Sequence, residues 1–365
     1  MGLFVSSFFR KRKRNKKIIK ISVITLISCI LLFIVIKVIN FFSLSYIIKL
    51  SLKNFNTDNK YKITYEKKYE ILQSKMLIKN LKIDTNTGSL FVDNLSLKKT
   101  SGFFLPKTIR VVYGDIVEKN NNLITGHTIK PENGSMELDI LFEKHLFKSP
   151  TFAGVKIPDR KSIEIIKGKD YRVALIDIED CVFELKKNKS VVFIKQKGSI
   201  TSWLEDDNLY IIKNGEPFKW DVEMAEVIKK EKWGINNENL EDVFYTEIKK
   251  MVFDYGYALV DIHGKNVRDK QLRTSNMVVS VKNYSELIEN TFNLLLQNSK
   301  LDVKIIKPVY SSLKNEIIPM LKKASESENG NKDTLYIKIL KEKDGVANIN
   351  GISFEDISSK LYYIK

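Results

Sequence analysis

The chain is poor in the residues that staple small domains or line catalytic centres. Among its 365 residues there are two cysteines, three histidines and seven prolines. Cys29 lies inside a long uncharged apolar segment and Cys181 lies far outside it, so we do not expect the two thiols to form a disulfide. Cys181 alternates with Phe183 and Leu185, which predicts a thiol packed in a buried strand. The fold must therefore be stabilised by its apolar core rather than by crosslinks.

Sequence motifs of catalysis and phosphate binding are also missing. The chain contains no His-Glu-x-x-His, Cys-x-x-Cys, Gly-x-Gly-x-x-Gly or Gly-x-Ser-x-Gly pattern, and no phosphate-binding loop motif. His263 follows Asp261 on one predicted strand face, and we interpret it as a surface residue. The acidic run Glu205 to Asp207 is typical of a solvated turn rather than of a cation site. We therefore expect a protein that is not an enzyme, with no catalytic residues, no cofactor and no metal.

Arginine is the next scarce residue, because only eight of the 61 basic residues are arginine. Bidentate contacts to phosphates and bases favour arginine, and arginines interleaved with aromatic residues are not found in this sequence. The formal charge of +17 therefore indicates a lysine-rich solvated surface, and we expect no nucleic-acid partner. A mild attraction to anionic lipid headgroups is the alternative use of this charge.

Long apolar runs are absent except for one near the N-terminus. Residues 21–36 carry no charge, and the apolar run resumes after Lys37 as far as Phe42. At ~1.5 Å per residue this segment can cross a ~30 Å hydrocarbon layer as a helix. We therefore predict a transmembrane anchor at residues 21–42. Its representative apolar residues are Ile21, Ile24, Leu26, Leu32 and Ile36.

A basic tail before this segment predicts its orientation. Residues 1–20 hold eight basic residues and no acidic one, and the densest part is Arg10, Lys11, Arg12, Lys13 and Arg14. Such a tail stays in the cytoplasm, so the chain after the anchor is expected on the far side of the membrane. Cleavage by signal peptidase after Ser45 is the alternative, although the apolar segment is longer than a usual signal-peptide core. A nucleic-acid role for the tail is the other alternative.

Beyond a linker at residues 43–60 the sequence predicts a mainly β ectodomain. Apolar and polar residues alternate in many short stretches, most clearly in the set Met136, Leu138, Ile140 and Phe142. This period of two predicts half-buried antiparallel strands in a long meander. We divide it into a β-rich half at residues 61–215 and a second half at residues 216–365. In the irregular segment that opens the second half, residues 221–231 and 238–250 are interpreted as short helices.

The C-terminal part changes its period. Apolar residues at three- and four-residue spacing predict a two-helix insert at about residues 285–325. Alternation returns at Leu335, Ile337 and Ile339, which predicts a closing hairpin at residues 335–354.

The terminal sequence Lys343-Asp344-Gly345-Val346-Ala347-Asn348-Ile349-Asn350-Gly351-Ile352 resembles the ending of an alphaproteobacterial envelope family, domain of unknown function 2125. The layout is similar too, with an N-terminal anchor, an early strand pair at residues 61–65 and 77–84, and a late helical stretch. The resemblance implies an envelope protein with no catalytic residues, held in the inner membrane of a bacterium with its C-terminal domain in the periplasm.

Clustered aromatic residues provide the candidate site. Trp203, Trp220 and Trp233 lie in the least regular part of the chain, with Phe218 nearby. Such residues either pack two parts of a core or line a groove for a ligand or partner. The preferred function is a non-enzymatic envelope protein that binds lipid or an envelope component in a β groove. The alternative is a structural or assembly factor that docks other envelope proteins through sheet edges and this cluster.

Overall fold

A computed structural model describes most of the chain after the N-terminal tail. The described residues are 31–49, 62–85, 88–102, 106–120, 126–143, 151–168, 170–186, 191–203, 215–228, 243–268, 273–297, 303–325, 333–342 and 345–362. The predictions for the basic residues Arg10 to Arg14 and for Ile21, Ile24 and Leu26 lie outside the described residues. Trp233 and the acidic run Glu205 to Asp207 also lie outside them.

Helix α1 (Leu31–Lys49) is long and apolar enough to cross a membrane, with a mean hydropathy of 2.2. Leu32 and Ile36 lie on its exposed first part, as expected of an anchor. The helix continues beyond Phe42 into the segment that the sequence predicts as a linker. Its last turns bury Leu44, Ile47 and Ile48 against the sheet, because they find an apolar surface to cover there.

Nineteen strands among the described residues form one antiparallel sheet, so the predicted mainly β fold is confirmed. The early strands are β1 (Lys62–Glu70), β2 (Lys75–Asp84), β3 (Gly88–Val92), β4 (Leu95–Ser101), β5 (Thr108–Tyr113), β6 (Ile116–Asn120), β7 (His127–Pro131), β8 (Met136–Glu143), β9 (Thr151–Ile157) and β10 (Lys161–Lys167). The later strands are β11 (Tyr171–Lys186), β12 (Val191–Ser202), β13 (Pro217–Ile228), β14 (Val243–Asp254), β15 (Leu259–Arg268), β16 (Arg273–Lys282), β17 (Thr334–Lys341), β18 (Asn348–Ile349) and β19 (Ile352–Ser353).

The strand order is that of the predicted meander, with its early strands broken in the middle. Each of the pairs β3 with β4, β5 with β6, β7 with β8 and β9 with β10 is one long strand interrupted by a few residues. The breaks of neighbouring strands lie side by side. The amide of Gly114, in the break after β5, donates to the carbonyl of Asp93, in the break after β3, and the amide of Glu132, after β7, donates to the carbonyl of Ser162 in β10. Strand β11 then pairs with β10 along its first half and with β9 along its second.

The two short helices predicted at the start of the second half are wrong. Residues 221–231 fall largely on strand β13 and residues 238–250 partly on strand β14. Val222 and Met224 alternate with Asp221 and Glu223, so a strand with one apolar face fits this stretch better than a helix. Strands β12 and β13 pair along nearly their whole lengths, which carries one continuous sheet across the boundary predicted at residue 215.

The predicted C-terminal helices are confirmed. They are α2 (Tyr284–Gln297), α3 (Val303–Ser312), a π-helical turn (Leu313–Ile317) and α4 (Ile318–Ser325). The closing hairpin predicted at residues 335–354 appears as β17 paired antiparallel with the two-residue strand β18. Strand β18 then turns through Asn350 and Gly351, both with positive φ, into β19. A last helix, α5 (Phe354–Tyr362), was not predicted.

Candidate functional site

One face of the sheet carries apolar side chains from strand to strand across the meander. Directly paired residues of antiparallel strands point to the same face, so the register traces that face. Val155 pairs with Phe183, Phe183 with Ile194, Ile194 with Met224, and Met224 with Ile248. We call this face, on strands β9 to β16, the apolar floor.

A second row crosses the same floor nearer the other strand ends. Ile163 pairs with Ile176, Ile176 with Ile200, and Ile200 with Phe218. The rows belong to one face because Ile176 and Phe183 both pair with even-numbered residues of the unbroken strand β12. The floor therefore contains at least two apolar side chains along the length of each central strand, and it extends across several strands.

Helices cover the two ends of this face. At one end, Leu44 and Ile48 of α1 cluster with Met76 and Ile109, and the face continues from Ile109 through Ile140 to the floor. At the other end, Leu321 of α4 and Ile357 of α5 cluster with Leu335, which pairs with Val281. Helix α1 and the C-terminal helices α4 and α5 thus lie on the same side of the sheet.

Between these helices the floor side chains remain partly accessible. Ile176, Ile194, Met224 and Ile248 are each half-buried, whereas Leu44 of the covered end is 0% exposed. Contiguous apolar surface that is left accessible usually marks a binding site for a partner, a ligand or a membrane. The half-buried floor is such a surface, and the register traces it across strands β9 to β14.

Polar residues mark the borders of the floor. One exposed polar residue, Gln196, interrupts the apolar rows inside the floor. Its amide nitrogen lies 3.9 Å from the sulfur of Cys181. At the ends of the later strands the paired residues Glu226, Thr246 and Asn266 form a polar row. The apolar rows therefore stop about one side chain before those strand ends.

The opposite face of the sheet is charged. Ion pairs join neighbouring strands there, such as Lys195 with Asp180 at 2.6 Å and Lys250 with Asp221 at 2.5 Å. The hydrogen bond to Asp180 raises the pKa of Lys195 above its ordinary value. Such exposed pairs add little stability, but they keep this face hydrated. The sheet is thus amphipathic, with water on one face and the apolar floor on the other.

Two of the predicted aromatic residues lie on the floor. The ring centroids of Phe218 and Trp220 are 6.3 Å apart, and Phe218 also stacks on Phe253 at 6.1 Å. The Trp220 ring lies across Gly198, where an added Cβ would come within 2.8 Å of its Cζ2 atom. A glycine at this point of β12 therefore makes room for the indole.

Trp203 does not join this group. It comes one position after Ser202, which shares the floor side with Ile200, so alternation directs Trp203 to the other face. There the guanidinium of Arg172 lies 5.4 Å from its ring centroid. Trp203 and Trp220 are close in the sequence, but they lie on opposite faces of the sheet.

Two further residues of the apolar face, one on the floor and one nearer α1, were not singled out as site residues from the sequence. Lys99 pairs with Ile109 and so lies on the apolar face near α1, where burial lowers its pKa. Cys181 lies on the floor as a half-buried free thiol, paired with Ile157 on one side. Only the strand pairing shows that these positions share the apolar face, although the alternation around Cys181 indicated its strand.

The described residues offer no arrangement suited to catalysis by a metal. They contain no group of three or more histidine, cysteine, aspartate or glutamate residues that could hold an ion. The Nδ1 atom of His263 lies 3.9 Å from a carboxylate oxygen of Asp261, and both side chains are exposed. This fits the surface role expected from the sequence.

Comparisons of the chain with models of protein families, with characterised proteins and with solved structures give no match. The chemistry of the floor is therefore the basis for assigning a function.

Proposed function

We propose that this protein is a single-pass anchored protein of the bacterial inner membrane that binds lipid acyl chains on its apolar floor. The basic tail stays in the cytoplasm and the sheet lies in the periplasm, as the charge asymmetry predicts. The observation that carries the proposal is the continuity of apolar side chains from strand to strand, beginning at the strands on which α1 packs.

An acyl chain is the occupant that suits this surface best. Removing apolar surface from water stabilises a complex by about 25 cal/mol per Å². A long flexible hydrocarbon can cover a row of side chains across several strands. The bilayer would also lie close to the floor, because the helix that can cross it packs directly on the face that carries the floor. The polar row of Glu226, Thr246 and Asn266 would then lie beside the more polar end of the lipid.

The alternative, a docking or assembly factor, calls for a mixed surface or an open sheet edge. Among the described strands β1 pairs only with β2, so it is an edge strand. It carries exposed lysines at positions 62, 67 and 68, and lysines on an edge disfavour pairing with another strand. A floor of apolar side chains supports lipid over this alternative.

A photocrosslinking amino acid can test the proposal in the full-length protein within its membrane. Met224 on the floor and Ala225 on the charged face are neighbours on β13 that point in opposite directions. Crosslinker at position 224 should yield lipid adducts in mass spectrometry, and crosslinker at position 225 should yield few. Protein adducts at position 224 would favour the docking alternative, and equal lipid adducts at both positions would contradict a floor-specific site.

A further inference from the structure

We infer that the turn between β1 and β2, with Ile71 and Leu72 at its tip, inserts into the membrane interface and holds one end of the sheet against the bilayer. This surface lies outside the floor and concerns the bilayer as a partner, independently of any lipid bound on the sheet.

Direct contacts fix the turn to the anchor helix. The ammonium of Lys37 donates to the carbonyl of Leu72 at 2.8 Å and to the hydroxyl of Ser74 at 2.7 Å. The hydroxyl of Tyr69 donates to the carbonyl of Lys37 at 3.1 Å, and the Tyr69 ring meets that of Phe41 edge-on. The turn is therefore held at the level of Lys37 along α1.

Lys37, near the end of the anchor predicted at residues 21–42, marks the level at which the helix enters the membrane interface. The six described residues before it, 31–36, are apolar and exposed, as a lipid-facing segment would be. After it the helix begins to bury its side chains on the sheet, and Leu44 is fully covered. A lysine near the end of a membrane helix places its charge in the interface rather than in the bilayer centre. The turn bound to this lysine should lie at the same depth.

The side chains of the turn suit that position. Leu72 is 84% exposed and Ile71 is 62% exposed, although both are large and apolar. Exposed Phe152 lies at the same end of the sheet, at the second position of β9. Apolar side chains with a nearby cation are typical of segments that lie in a membrane interface. Bilayer contact would remove these side chains from water.

The topology makes the turn one of several connections at this end. Strand β1 ends at Glu70, which pairs with Lys75, and Glu143 at the end of β8 pairs with Thr151. Tyr171, which is 48% exposed, begins β11 at the opposite end, where it pairs with Lys167. The strands therefore run away from the bilayer, and the apolar face begins close to the lipid surface.

Fluorescent labelling of the full chain tests this placement. Cys29→Ser and Cys181→Ser remove the native thiols, and Leu72→Cys or Ile71→Cys then receives a nitrobenzoxadiazole label. In vesicles of phosphatidylcholine and phosphatidylglycerol, either label should lose most of its fluorescence to a doxyl group on the lipid chains. Iodide in the aqueous phase should have little effect on it.

Tyr171→Cys is the matched control, because it replaces an exposed aromatic residue at the far end of the sheet. Its label should be quenched by iodide and unaffected by doxyl lipid. If the labels at positions 71 and 72 behave like the one at position 171, the inference is overturned, even if Met224 still captures lipid. If they lie in the bilayer while Met224 captures none, the inference holds and the proposed function fails.

Discussion

Trp220 is the aromatic residue placed best for a ligand at the scale of single side chains. Trp220 is half-buried on the floor and belongs to neither of the two buried clusters under the helices. Trp220→Ala should therefore reduce the lipid that copurifies with the protein while the midpoint of thermal unfolding falls only slightly. Loss of a fully buried aromatic would cost about 3–5 kcal/mol instead.

Trp203→Ala provides the control for this change, because it removes an indole that the pleat directs away from the floor. Its lipid recovery should match that of the wild type. If Trp220→Ala chiefly unfolds the protein, Trp220 is a core residue, and the floor loses its main candidate contact.

Lys99 predicts a dependence of stability on pH. Burial lowers its pKa from 10.5 in the folded protein, so the unfolded chain holds this proton to a higher pH. The free energy of unfolding should therefore rise, by this contribution, as pH increases from the folded pKa toward 10.5. Lys99→Met should remove that rise. Denaturant unfolding at several alkaline pH values, wild type against Lys99→Met, would reveal the difference, and identical slopes would contradict the assigned burial.

At the scale of elements, the last turns of α1 belong to the core of the sheet domain. Leu44 is 0% exposed in a cluster with Met76 and Ile109, so Leu44→Ala should cost about 2–5 kcal/mol of unfolding free energy. Leu32→Ala, on the exposed part of the same helix, should change the unfolding of the sheet little. Denaturant unfolding of both variants in detergent, followed by tryptophan fluorescence, would compare them. Equal effects would argue against the packing of α1 on the sheet.

The same packing bears on signal-peptidase cleavage. Cutting after Ser45 would remove Leu44 from the core and leave Ile47 and Ile48 on a short unanchored stub. We therefore expect the mature protein to keep its anchor. Mass spectrometry of the protein purified from membranes should find peptides from before residue 45, and a mature N-terminus at Tyr46 would contradict this prediction.

At the scale of the whole molecule, the basic tail predicts an orientation with the N-terminus in the cytoplasm. A reporter enzyme that is active only in the periplasm, fused after Lys365, should be active. The same reporter fused before Met1 should be inactive. External protease on spheroplasts should digest the sheet domain, and full protection would show that the orientation is reversed.

The sequence by itself determined the features that depend on local pattern. The period of two around Met136 and Ile140 gave strands with one apolar face, and the spacing after Ser285 gave helices, because neighbours along the chain define these periods. The helix expected at residues 221–231 was wrong, because Val222 and Met224 alternate with Asp221 and Glu223 on strand β13, which pairs with β12 and β14.

Only the tertiary structure decided which faces come together. Strand register aligned the apolar residues of separate strands into one floor, placed Trp220 on it and directed Trp203 to the other side. Helix α1 also continues beyond Phe42, because packing of Leu44 on the sheet stabilises these last helical turns. Register and docking are set by contacts between distant segments, so no local pattern could reveal them.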